Sequence, residues 1–132
     1  VVDADNFEDR KAAFRQLQDF LKKIHDAGIQ VAIGTDAGTP NVPFGWGMHR
    51  EMAIYVEAGL TPMQTIVAAT SSGAAQMPPL GEADFGTLVP GKVADLVVLD
   101  ADPLADIRNT LKINRVMRLG EWVDRPQLLR AE

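Results

Sequence analysis

Gly28-Ile29-Gln30-Val31-Ala32-Ile33-Gly34-Thr35-Asp36-Ala37-Gly38 is the stretch that decides the fold. Residues 29–33 are nearly all apolar, the pattern of a parallel strand covered on both faces. The strand is expected to end at Gly34, and Gly34 and Gly38 bracket Asp36 in the turn that follows. Upstream, Phe14, Leu17, Leu21 and Ile24 fall at i, i+3, i+7 and i+10, one stripe of a helix. Asp5 is expected to cap that helix, with Glu8 three residues later closing a capping-box-like pair. Gly28 reads as its left-handed stop. A helix that feeds a buried strand predicts an α/β arrangement.

Downstream, residues 39–47 hold prolines, glycines and aromatics and read as a loop. A short helix is expected over 48–58, stopped by Gly59. Thr61 is the expected N-cap of the next helix, with Pro62 at its first position and Gln64 completing a capping box. Ile66, Val67 and Ala69 fill that helix, and Ser72 is expected to cap a further turn over 73–76 before Pro78-Pro79. After Gly81 the helical spacing disappears. Strands are expected at 85–88, 94–99 and 113–119. Val89-Pro90-Gly91-Lys92 suits a type II turn, Asp102-Pro103-Leu104 begins a single turn, and Gly120-Glu121 suits a two-residue hairpin turn returning through Trp122-Val123. The chain thus divides into an α/β part, 1–81, and a small β part, 82–132.

Composition narrows the function. The 132 residues are 46% hydrophobic and 23% charged, values of a globular chain the size of one domain. No apolar run approaches the roughly 20 residues of a membrane span. The net charge of −5 speaks against a nucleic-acid partner, which calls for a basic face. With no cysteine there is no disulfide, thiolate zinc site or cysteine nucleophile. With only His25 and His49 as imidazoles, a metal site within the chain must lean on carboxylates. The chain opens Val1-Val2-Asp3, without Met and without a charged-then-apolar leader, so the reading favours the cytoplasm and an N-terminus that is not the natural one.

Asp36 carries the most chemistry. It follows the C-terminal end of the expected strand, where α/β sheets and barrels place their reacting groups. A carboxylate there can bind a divalent metal and accept a proton from activated water; equally, it can cap the following turn. His49 opens the helix after the loop, with Glu51 two residues on, and is either a ligand-facing group or a packed histidine. His25 sits near the C-terminus of the first helix, where a cation meets the negative helix end, and reads as structural. The acids Glu82, Asp84, Asp95, Asp100, Asp102 and Asp106 read as turn formers and solvated edges. No nucleophile elbow, phosphate loop or paired-histidine metal motif occurs.

The sequence resembles the metal-dependent amidohydrolase superfamily, in its imidazolonepropionase-like and Xaa-Pro or Xaa-Arg dipeptidase-like branch. The resemblance rests on residues 28–38, then His49-Arg50-Glu51-Met52, Ala58-Gly59-Leu60-Thr61-Pro62-Met63-Gln64-Thr65-Ile66, Ala68-Ala69-Thr70, and the block from Gly86 to Asp100. It implies the last part of a (β/α)8 TIM-type barrel over 1–81 and the C-terminal half of a small β-sandwich over 82–132. It implies that Asp36 is both metal ligand and proton shuttle, that the metal is divalent, zinc in most of the family, with one or two ions, and that His49 lies near the substrate end of the pocket. The His-x-His pair, the Lys or Glu and the further histidines of the family are missing here, and Gln76-Met77-Pro78-Pro79 departs from its usual helical run. A barrel takes ~250 residues.

Two functions follow. In the first, the chain is part of an enzyme that hydrolyses a C–N bond of a small amide, cyclic amide or peptide through a metal-activated water, and is inactive alone. In the second, it is a non-catalytic truncated or split subunit that docks with the missing N-terminal barrel portion or an oligomer partner. The edge of the 29–33 strand and the stripe of the first helix would form that interface.

Overall fold

The computed structural model describes residues 4–40, 42–77, 84–124 and 126. Among the described residues four helices come first: α1 (Ala4–Asp26), α2 (Trp46–Glu57), α3 (Pro62–Ala69) and α4 (Ser71–Ala75). Strands β1 (Leu96–Leu99), β2 (Ile113–Arg118) and β3 (Glu121–Trp122) follow, with a 3₁₀ helix, Ile107–Leu111, between the first two. The strands form one antiparallel sheet in the order β1-β2-β3. Among the described residues no helix is long and apolar enough to cross a membrane.

The helix stops follow from the sequence. At the end of α1, Gly28 (φ 81) donates to His25 O at 2.9 Å and Ile29 donates to Ile24 O at 3.1 Å. The end of α2 repeats the pattern: Gly59 (φ 102) donates to Val56 O and Leu60 to Tyr55 O. Both are Schellman closures. In the second, buried Leu60 packs in one cluster with Tyr55. The start of α3 carries the expected capping box. Gln64 N donates to Thr61 Oγ1 at 3.2 Å, and Thr61 N donates to Gln64 Oε1 at 2.8 Å.

The core lies between α2, α3 and the segment after α1. Met52, Ala53 and Ile107 form one buried cluster, and Tyr55, Leu60 and Ala68 another. Ile33 packs against both, so the 29–34 segment is the seam between them.

That segment departs from expectation. No strand forms at 29–34, and burial is partial: Ile29 is exposed and Val31, Ala32 and Ile33 are half-buried. A parallel strand needs neighbours for its N–H and C=O groups, and no described residue supplies a ladder. The expected stripe of α1 is likewise covered only at its end. Leu21 and Ile24 are half-buried, whereas Phe14 and Leu17 face outward, as does Phe20 beside the stripe.

Smaller differences have local causes. Helix α1 begins at Ala4, so Asp5 lies inside it rather than capping it. Helix α2 starts at Trp46, ahead of the expected Met48. Ser72 lies inside α4, whose cap position is Thr70. No strand forms at 85–88: residues 85–87 are bends and Leu88 has no regular structure. The type II turn at 89–92 is present, with Gly91 at φ 91 and Lys92 N bonded to Val89 O at 3.2 Å. The hairpin turn is one residue earlier than expected. Leu119 (φ 51) and Gly120 (φ 82) form it, and Arg118 pairs with Glu121. Positive φ at both central residues gives the twist that joins two antiparallel strands most tightly. Pro78-Pro79, Glu82 and the expected boundary between 81 and 82 lie outside the described residues.

Candidate functional site

The 29–34 segment, lacking a ladder, is fastened by groups from two helices. Tyr55 on α2 donates its hydroxyl to Ala32 O at 3.0 Å. Ile33 N donates to Ala68 O on α3 at 3.2 Å. Glu51 on α2 accepts the N–H of Gly34 at 3.3 Å. Three successive residues are thereby held in place just before Thr35 and Asp36. Burial pushes the Tyr55 hydroxyl pKa up, and the nearby Glu51 carboxylate adds to the shift. The phenol therefore keeps its proton, and its donated bond, at neutral pH.

Asp36 emerges from this anchored end with φ 50, a left-handed conformation that asparagine and aspartate tolerate better than most side chains. Its backbone carbonyl closes the next turn, accepting from Thr39 N at 3.3 Å and from Thr39 Oγ1 at 3.0 Å. Its side chain is solvent-exposed, and among the described residues the carboxylate takes no hydrogen bond. The turn is thus closed by the main chain of Asp36, and its carboxylate is left over. Gly38 (φ 102) allows Phe44 to lie against the same turn: a Cβ at 38 would stand 2.9 Å from Phe44 Cζ.

Helix α2 starts against the residue before Asp36. A Cβ on buried Gly47 would meet Val42 Cγ1 at 3.1 Å and Thr35 Cβ at 3.7 Å. Two residues further, His49 is half-buried, and its Nδ1 lies 3.0 Å from Thr110 Oγ1 on the 3₁₀ helix. Burial lowers its pKa below the ordinary histidine value. His25 is elsewhere, 3.7 Å from Asp26 near the end of α1. Three acids of the β part serve turns, and Asp100 instead accepts from Asn114 Nδ2 on β2 at 2.7 Å. Asp95 accepts from Leu119 N at 2.6 Å, Asp102 from Leu104 N at 2.8 Å and Asp106 from Arg108 N at 2.9 Å. Nothing in the sequence marks the roles of Glu51 and Thr110, because each contact joins distant positions with no spacing signal.

Among the described residues no group of three His, Cys, Asp or Glu side chains could hold a metal ion. Asp36 offers one carboxylate, whereas catalytic zinc takes three protein ligands.

The profile of the Amidohydrolase family matches residues 9–123. The imidazolonepropionase of Cutibacterium acnes is 35% identical over 113 residues, which cover 81% of this chain and 28% of that protein. The solved structure of phenylurea hydrolase B superposes with a TM-score of 0.74 at 29% identity, covering 85% of this chain and 28% of the other. A Xaa-Pro dipeptidase solved with methionine bound in its active site gives 0.70 at 30% identity, covering 82% and 25%. The chain therefore spans little more than a quarter of these relatives' length, and the likenesses are in keeping with an α/β fold.

Proposed function

The chain belongs to the amidohydrolase family, and on that premise we propose that it is the C-terminal segment of a metal-dependent enzyme hydrolysing a C–N bond in an amide, cyclic amide or dipeptide. The observation that carries this is the Asp36 carboxylate, exposed beyond an anchored segment and free of hydrogen bonds among the described residues. In this reading residues 1–81 complete a (β/α)8 barrel and 82–132 complete a small β-sandwich.

The described residues do not make a metal centre by themselves. Asp36 would be one ligand of a divalent ion, zinc by resemblance, and the other ligands would come from polypeptide outside this chain. When bound, such an ion supplies Lewis acidity to the scissile carbonyl and lowers the pKa of water. Asp36 accepts the proton of the attacking water and returns it to the leaving nitrogen. His49, on the helix that starts against Thr35, contacts substrate. One carboxylate cannot do this alone, so the 132-residue chain by itself should not turn over an amide.

Steady-state kinetics on the native enzyme, with metal content measured in parallel, test the reading. Asp36→Asn keeps the shape but loses the proton acceptor, and should lower kcat by the ~10²–10⁴-fold of a lost general base. Asp95→Asn, just before β1 where the carboxylate bonds the hairpin turn at Leu119, is the control that should leave kcat nearly unchanged. Wild-type turnover by the Asp36 variant with metal bound would reduce Asp36 to a turn residue.

A second reading is a split subunit without activity of its own. The outward-facing Phe14, Leu17 and Phe20 of α1, beside a segment without a ladder, favour an interface there. The mass and assembly state of the native polypeptide decide. A partner chain supplying the other strands would establish the split subunit, and a monomer would exclude it.

A further inference from the structure

The contact between His49 and Thr110 fixes more than the position of a ring. Thr110 is buried, and its hydroxyl donates to Ile107 O at 2.8 Å. A hydroxyl has one proton and two lone pairs. With its proton committed to Ile107 O, Thr110 Oγ1 can offer only a lone pair to His49 Nδ1, 3.0 Å away. Nδ1 must then carry the proton, and in the neutral ring Nε2 is left as an acceptor. The hydroxyl is held firmly, because Ile107 in the same 3₁₀ helix is buried in one cluster with Met52 and Ala53 of α2. The helix carrying His49 and the turn carrying Thr110 therefore pack as one unit.

We propose that Thr110 is a positioning residue that holds His49 as the Nδ1–H tautomer, so that Nε2 accepts a hydrogen bond from an N–H or O–H group of the substrate. This rests on the reading of His49 as a substrate contact. It adds the direction of the bond: the substrate donates and the histidine accepts. An amide, cyclic amide or peptide substrate carries such an N–H. The burial that lowers the His49 pKa keeps the ring neutral, as an acceptor must be.

The test is long-range ¹H–¹⁵N correlation of the imidazole nitrogens in the ¹⁵N-histidine-labelled native polypeptide at pH 7.5, with the His49 signals assigned by their loss in His49→Gln. The expected wild-type pattern is a pyrrole-like Nδ1 and a pyridine-like Nε2. Thr110→Val removes the acceptor and should move the ring toward the Nε2–H tautomer, and Thr110→Ser should restore it. In kinetics Thr110→Val should raise KM roughly 3–10-fold, as expected for one lost neutral hydrogen bond, with a smaller change in kcat. A wild-type ring already in the Nε2–H form would overturn the proposal, as would a Thr110→Val tautomer identical to wild type or an unchanged KM once the tautomer has shifted. The tautomer measurement needs no activity, so failure of the Asp36 assignment would show separately, in the Asp36→Asn kinetics.

Discussion

Glu51 Oε1 accepts the backbone N–H of Gly34 at 3.3 Å, tying helix α2 to the segment that ends two residues later in Asp36. With Tyr55 bonded to Ala32 O and Ile33 N bonded to Ala68 O, this contact does locally what a sheet ladder does in a parallel strand. The carboxylate of Asp36 is thus placed through α2 and α3.

Glu51→Ala should free the Gly34 amide. The expected cost is about 1 kcal/mol of stability, the usual net worth of one hydrogen bond. Glu51→Gln keeps an acceptor oxygen and should cost less. Amide hydrogen exchange is the direct readout. Gly34 should exchange faster in the Ala variant and near the wild-type rate in the Gln variant. Unaltered Gly34 exchange in Glu51→Ala would show that the contact holds nothing in place.

Gly86 packs closely against the end of the region before residue 78. Its φ is +84, and a Cβ there would stand 2.6 Å from Ala74 Cβ and 3.2 Å from Thr70 O. Gly86→Ala therefore meets both backbone strain and overpacking and should destabilise by about 2–4 kcal/mol. Gly91, at φ +91 with nothing within 4 Å of the added carbon, is the comparison. Gly91→Ala should cost only the backbone part, about 1–2 kcal/mol. Denaturant midpoints of the two variants separate the effects, and equal losses would refute the steric account.

The sequence made the helix ends legible because their signals are local. Gly28, Gly59 and the Thr61–Gln64 pair each act within a few residues of themselves. The segment at 29–34 read as a buried strand because composition reports apolarity and not partners, and the ladder it needs is absent among the described residues. The hairpin slipped by one position because Leu119 is an unusual residue for positive φ, and Asp95, whose carboxylate takes the Leu119 N–H, lies far upstream. At the candidate site, Asp36 and His49 could be singled out by their chemistry. Their supports, Glu51 and Thr110, could not, because contacts between residues 17 and 61 positions apart exist only once the chain has folded.

Leu119 marks a place where the sequence is not at its optimum. It sits at φ 51 on an exposed turn, and a branched apolar side chain gains little there. Leu119→Asn should stabilise by about 0.5–1 kcal/mol, since asparagine tolerates the left-handed region better. The backbone N–H that Asp95 holds is unchanged by the substitution. A rise in thermal midpoint checks this, and a fall would show that Leu119 makes a contact worth more than the strain it carries.

The buried face of His49 predicts a pH effect with a definite sign. Burial lowers its folded-state pKa below the ordinary value of about 6.5. Below that value the unfolded chain takes up the proton more readily than the folded one, so unfolding is favoured as pH falls. The contribution of His49 is therefore complete above about pH 6.5 and is lost as pH falls through the depressed folded-state pKa. Protonation leaves the Nδ1–H bond to Thr110 intact, so the penalty comes from charging a half-buried ring. His49→Gln removes the titrating group. Denaturant midpoints of the native polypeptide, measured from pH 7.5 to pH 5, should fall more steeply for wild type than for the Gln variant. Parallel curves over that range would show that His49 titrates as it does in water, and that its packing against the 3₁₀ helix does not exclude charge.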